Sequence, residues 1–217
     1  MTPFLAWPGW RHLRYAALLS IASTAWFLLV YGGLDALTAR RTFRVPVHFP
    51  AELRIPFVPA MTVFYMSIYL LFLAAPFILR TRGEFRAAVW TLAVVIACGG
   101  LGFLAFPAEL AFAPPREGDL GVWAGLFHLA DRLNLTYNLL PSLHVAMGVV
   151  CVAAFSRHAR KAAKIVLWSW AVLIAASTVL IHQHHVLDVV TGWLLAVVCV
   201  KTVFHRLAPT SPPSALY

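Results

Sequence analysis

The chain has 217 residues, of which 61% are hydrophobic and 12% charged, with a formal net charge of +9, eight Trp and fifteen Phe. Soluble domains carry about twice that share of charge, and a domain this short buries too little of its surface to hide so much apolar matter. A water-soluble globular protein is therefore excluded. A nucleic-acid binder is excluded too, because the Lys and Arg sit in short loops between apolar runs, where they set topology and meet anionic lipid.

About 20 apolar residues are needed to cross the hydrocarbon core. Along the chain this predicts spans over Tyr15–Leu34, Phe57–Leu79, Ala87–Phe106, Ser142–Phe155, Ile165–Ile181 and His185–Phe204, the fourth being short. The stretch Asp119–Asn134 is amphipathic and too polar to span, and is expected as a helix lying at the interface. The fold class that follows is all-α: a polytopic six-helix membrane bundle with a short interfacial helix between spans three and four. Residues 1–206 form its single catalytic domain, and the Pro- and Ser-rich segment 207–217 is expected to be a disordered tail. The N-terminal MTPFLAWPGWRHLR is not read as a secretory signal, since its basic residues follow the apolar stretch, and no soluble domain is expected at either end. Cys98, Cys151 and Cys199 lie inside apolar runs as packing residues, and Gly99, Gly100 and Gly102 serve close packing or a bend in the third span.

With the N-terminus inside, eleven Lys and Arg fall on the cytoplasmic side and six outside, four of them in the first outer loop. The bias puts both termini in the cytoplasm. The start of the fourth span, the end of the fifth and the start of the sixth then share the outer face, expected to be the periplasmic face of a bacterial inner membrane.

Those three points carry Pro141-Ser142-Leu143-His144 and the run from Ser177 and Thr178 through His182, Gln183, His184 and His185 to Asp188. Asp188 is the only acid after Asp131 and lies one turn inside a span, where an ionised carboxylate is costly unless paired. His184 and Asp188 are four residues apart, so on a helix they share a face. A carboxylate that holds an imidazole fixes its tautomer and makes the other nitrogen a better nucleophile or base. His144 comes from another span at the same depth and can supply a proton to a leaving group. Pro141 and Ser142 read as a helix start, and a helix N-terminus with free N–H groups is an anion site. The set describes phosphoryl transfer through a phosphohistidine.

At these residues the chain resembles the type-2 phosphatidic acid phosphatase superfamily. Pro141-Ser142-Leu143-His144 is similar to its second motif, and Ser177 to Asp188 to its third, which reads Ser-Arg, five residues, His, three residues, Asp. The resemblance covers roughly residues 56–204. It implies His184 as nucleophile, Asp188 as its orienting partner, His144 as general acid, and Ser142 as a phosphate ligand. The pattern departs from the family at two places. Thr178 stands where the family has Arg, and the first motif, Lys, six residues, Arg-Pro, is missing; Arg116, after Pro114 and Pro115, is the cation expected to serve the phosphate beside Ser142 and Thr178. In these departures the chain looks more like the inositol phosphorylceramide synthase and sphingomyelin synthase branch. Fewer fixed cations suit the single charge of a phosphodiester better than the near-dianion of a monoester. The expected substrate is thus a membrane phospholipid headgroup ester, with lipid phosphomonoesters or polyprenyl pyrophosphate as the alternative. Water, a lipid alcohol or a polyol is the acceptor.

No metal or other cofactor is expected, though His182, His184 and His185 could in principle ligate zinc. His182 and His185 otherwise read as interfacial polar residues, and Glu52, Arg54 and Asp119 as solvated loop charges. Two other classes compete: a catalytically dead scaffold, and a proton-coupled transporter. The first would be expected to have lost one of the three residues; the second places such groups near the midplane between repeated halves, and no repeat is seen. The sequence leaves the oligomeric state open.

Overall fold

The computed structural model describes residues 4–209. The expected tail 207–217 lies outside the described residues from 210 onward, and its first residue, Leu207, closes the last helix.

The chain is helical almost throughout: α1 (Trp10–Ala39), α2 (Thr62–Met66), α3 (Ile68–Ile78), α4 (Arg82–Ala105), α5 (Glu117–Leu120), α6 (Ala124–Leu133), α7 (Leu143–Ser156), α8 (Lys161–Leu180), α9 (Val186–Cys199) and α10 (His205–Leu207). Among the described residues five helical stretches are long and apolar enough to cross a membrane: α1, Pro59–Ile78, α4, α8 and Val186–Leu207. The fourth expected span, α7, is helical within a residue of its predicted bounds, and at 14 residues it is shorter than these.

Local chemistry explains the breaks. The second span divides at Ser67, whose hydroxyl donates to the Phe64 carbonyl at 2.6 Å and accepts the Trp170 indole N–H at 2.7 Å. A hydroxyl folded back onto its own helix loosens the regular ladder and bends it. Helix α4 starts at Thr81, whose Oγ1 accepts the Glu84 N–H at 3.2 Å and donates to the Glu84 carboxylate at 2.9 Å. The stretch expected as one interfacial helix is instead α5, a 3₁₀ turn and α6, interrupted at Gly121, whose φ of +50° an L side chain rarely adopts. From α6, Phe127 and Ala130 bury against Tyr65, Leu120 and Ile181. One element has no counterpart in the all-α expectation: Val45–Pro46 pairs in parallel with Ala108–Glu109, joining the segments before α2 and after α4.

The centre of the bundle is α7. Ten of its fourteen residues are buried, and it touches α3, α4, α8 and α9. By contrast α1 lies outside along α4 and buries only His12, Ala16, Tyr31 and Thr38. The glycines of α4 let neighbours approach: a Cβ on Gly99 would meet Leu143, on Gly100 Leu34 and Val30, and on Gly102 Pro141. Packing, as expected for these positions, is their use, and two of the three seat the Pro141–Leu143 segment.

Candidate active site

Helix α9 begins in a double cap. Asp188, at its third position, turns Oδ2 back to accept the His185 N–H at 2.8 Å, while the same oxygen lies 3.3 Å from His184 Nδ1. Asp188 is fully buried and His184 nearly so. The four-residue spacing thus becomes contact through the cap rather than along a regular helix, because His184 itself precedes the first turn. The backbone ahead of it is pinned by Thr178, whose carbonyl accepts the N–H groups of Gln183 (2.9 Å) and His184 (3.0 Å). With Nδ1–H donated to the carboxylate, His184 keeps a lone pair on Nε2.

Helix α7 starts at Ser142, whose Oγ accepts the Val145 N–H at 3.3 Å, and whose own N–H donates to the Asp188 carbonyl at 2.9 Å. Pro141 stands one residue before this cap rather than inside the first turn. Helices α7 and α9 are so close here that a Cβ on Gly192 would sit 2.4 Å from the Ser142 carbonyl oxygen. In the first turn His144 places Nε2 2.8 Å from the Tyr65 carbonyl and stacks on the Tyr65 ring, 3.9 Å between centroids and 9° between planes. A carbonyl only accepts, so Nε2 carries the proton and Nδ1 is left for chemistry.

His144 and His184 line one cavity of about 430 Å³ bounded by α1, α2, α3, α4, α6 and α7. Above the two rings lies a chain of polar contacts. The Tyr65 hydroxyl donates to Asn134 Oδ1 at 3.0 Å, Asn134 Nδ2 donates to the Gln183 side-chain oxygen, and Gln183 Nε2 reaches Asp131 at 3.4 Å.

The PAP2 superfamily model matches residues 48–202, well over half of the chain. The chain belongs to the PAP2 superfamily. No curated protein and no solved structure matches it. Membership of this superfamily suggests phosphatase-type lipid phosphoester chemistry, and the apolar helices fit an integral membrane protein.

On this PAP2 scaffold the expected residues fall into two groups. His144, His184, Asp188 and Ser142 come together at the facing ends of α7 and α9, as described. The side chains of Thr178 and Arg116 are directed elsewhere. The Thr178 side chain is fully buried, and its hydroxyl donates to the Ala175 carbonyl at 2.8 Å, so it is spent on its own helix. Arg116 caps the short α5 through its backbone, its side chain is exposed, and it does not line the cavity. Among the described residues the cavity lining contains no Lys or Arg.

Three side chains that the sequence reading set aside turn out to build this end of the PAP2 bundle. Glu52, expected as a solvated loop charge, is 5% exposed. Its Oε2 accepts the His185 Nδ1–H (3.1 Å) and the Val186 N–H (3.1 Å), and Oε1 accepts the Phe49 N–H at 3.3 Å. His185, fully buried, accepts the Ala111 N–H on Nε2 at 3.0 Å, which fixes its tautomer. His182 stacks on Phe112, which in turn stacks on His185, and its Nε2 meets the Ile55 carbonyl at 3.0 Å. The three neighbouring rings therefore diverge to Ile55, Asp188 and Glu52 rather than converge on one point. Only the pairing partners, far away in sequence, could have revealed this.

Glu52 thus staples the loop before α2 to the start of α9, and His185, held by it, takes up the loop after α4 through Ala111. Glu52→Ala leaves a buried imidazole and an amide without their acceptor, at a cost of about 2–4 kcal/mol. Thermal unfolding in detergent is expected to show a midpoint lowered by about 5 °C or more, with Glu52→Gln falling between. An unchanged midpoint in Glu52→Ala refutes the staple.

Proposed function

We propose that this PAP2 protein is an enzyme that cleaves a lipid phosphoester through a phosphohistidine on His184, and that it favours phosphodiester lipids over phosphomonoesters. One observation carries the reading: an imidazole from the first turn of α7 and one from the turn just before α9 line the same cavity, with a buried carboxylate behind the second.

His184 Nε2 attacks the phosphorus; the P–N bond forms as the P–O bond to the lipid alcohol breaks. Asp188 stabilises the positive charge left on the phosphorylated ring. His144, protonated on Nδ1 while Nε2–H stays on the Tyr65 carbonyl, gives its proton to the departing alkoxide. In the second half an acceptor hydroxyl loses its proton to His144, its oxygen attacks phosphorus, and the P–N bond breaks. The acceptor is water in a phosphatase or phospholipase-C-like reaction, and a lipid or polyol alcohol in a headgroup transfer. The buried N-terminus of α7, with its amides and Ser142, offers the phosphate its donors.

The preference for a diester rests on Thr178 in place of the family Arg and on a cavity lining without Lys or Arg. A site with few fixed cations leaves a second phosphate charge uncompensated. The missing cation also supports kinship with the inositol phosphorylceramide and sphingomyelin synthase branch. The bundle is read as six spans, with α7 included, in a bacterial inner membrane. Its basic end, with Arg80, Arg86, Arg157 and Lys161, lies in the cytoplasm together with both termini, and the histidines face the periplasm.

The test is a mass-spectrometric assay of purified protein with phosphatidic acid, phosphatidylglycerol, phosphatidylinositol and a polyprenyl pyrophosphate, each with and without a lipid alcohol. Diester cleavage that persists in excess chelator is expected. Phosphate release from monoesters alone overturns the substrate preference.

A further inference from the structure

The cavity beneath the histidines is far deeper than a phosphate needs. On α7 it is lined by His144, Met147, Cys151, Ala154 and Phe155, one face of the helix. From His144 to Phe155 is about 16 Å of helix rise, close to half of the roughly 30 Å hydrocarbon core. Its far end is closed by buried side chains: Leu79 and Phe155 at 1% exposure and Phe85 at 3%. Among the described residues no charged Lys, Arg, Asp or Glu lines it, and Tyr31, Tyr65, Asn134 and Asn138 gather with the two histidines at the other end. On the membrane side Ser20, Thr24 and Leu28 of α1 and Tyr69 of α3 line it while remaining exposed. The segment just before α1 is tied to α3 near the closed end, where the Ala6 N–H donates to the Phe77 carbonyl at 3.2 Å and Trp7 meets Phe77.

We infer that this cavity is a slot for one hydrocarbon chain of the substrate lipid, entered sideways between α1 and α3, and that Phe155 and Phe85 at its floor set the longest chain accepted. The inference rests on the reading of His144 and His184 as the reaction centre. A chain in the bilayer is already in an apolar medium, so the slot gains little by hydrophobic burial. It selects by shape instead, because a close-packed floor does not yield to extra methylenes. A chain of one leaflet's depth reaches the floor while the ester stands at the histidines; a longer one lifts the phosphorus away from His184.

Substrates of one headgroup with decyl, tetradecyl, octadecyl and docosyl chains, competed in one assay, read the slot directly. Cys151→Phe should shift kcat/KM toward the shorter chains by at least about tenfold, and Phe155→Ala toward the longer ones. An independent readout needs no turnover: in His184→Ala protein, a lipid with a diazirine at its chain terminus should crosslink near Ala154 and Phe155, and one with a mid-chain diazirine near Met147 and Cys151. Active variants with the wild-type chain profile, or crosslinks confined to the outer face of α1, overturn the slot and leave the histidine assignment standing. Terminal crosslinks at Phe155, together with wild-type protein that cleaves no lipid phosphoester, would uphold the slot and sink the enzyme reading instead.

Discussion

His184→Ala should lower turnover of the lipid phosphoester at least about 10³-fold while the protein stays folded in detergent, since the lost group would be the nucleophile itself. Asp188→Asn should lose about 10²–10⁴-fold by a different route. The amide oxygen can still accept the His185 N–H that Asp188 now accepts at 2.8 Å, so the α9 cap survives. What disappears is the charge beside His184 Nδ1, which in the proposed reaction would hold its tautomer and offset the positive ring of the intermediate. Since the two residues act as a unit, the double variant should be hardly worse than His184→Ala alone. His144→Gln should cost less with substrates whose leaving alcohol is acidic, such as a nitrophenyl ester, than with a lipid alcohol, because a good leaving group needs no proton. Rapid acid-labile phosphorylation of wild-type protein, absent in His184→Ala, is the accompanying signature. Near wild-type release by His184→Ala refutes the nucleophile assignment, and multiplicative losses in the double variant refute the coupling.

The parts of this architecture that the sequence made legible are those governed by near neighbours. Apolar run length located the membrane helices to within five residues at each end, the Ser142 cap marked the start of α7, and the His184–Asp188 spacing gave a contact that is present at 3.3 Å. What stayed hidden depends on partners distant in the chain. Glu52 looked solvated because nothing near it in sequence needs a carboxylate; its partner, His185, lies 133 residues away. A motif position suggests Thr178 as a phosphate ligand, and a nearby cation suggests Arg116. Their side chains are occupied by a helix carbonyl in one case and directed to the surface in the other. The divergence of His182, His184 and His185 is likewise a tertiary fact, set by the left-handed backbone of His182 at φ +57° and by Phe112 stacked between the rings of His182 and His185. Composition could say that a lipid-facing bundle exists, whereas the cavity is a property of six helices at once.

Gly192→Ala should reduce activity by about 10²-fold and lower the unfolding midpoint by several degrees, although Gly192 touches no substrate in the proposed reaction. A methyl there would lie 2.4 Å from the Ser142 carbonyl oxygen, 3.2 Å from its carbon and 3.3 Å from its Cβ. Two of these are backbone atoms, and the backbone cannot turn aside: the same Ser142 carbonyl accepts the Ala146 N–H at 3.0 Å, and its N–H is fixed to the Asp188 carbonyl at 2.9 Å. The helices must therefore separate, which costs about 1–3 kcal/mol as overpacking. Because Gly192 lies one turn beyond Asp188 and its obstacle lies two residues before His144, the separation falls on the spacing between His144 and His184. A misplacement of about 1 Å between reacting groups is enough for a 10²-fold loss. Gly99→Ala is the control: its added Cβ would meet Leu143 Cδ2 at 2.5 Å, the end of a side chain that can rotate, so the loss there should be several-fold at most. Equal activity losses in the two variants would mean that generic crowding, not the contact between α7 and α9, is what the substitution disturbs. Wild-type turnover in Gly192→Ala would mean that this junction does not set the distance between the histidines.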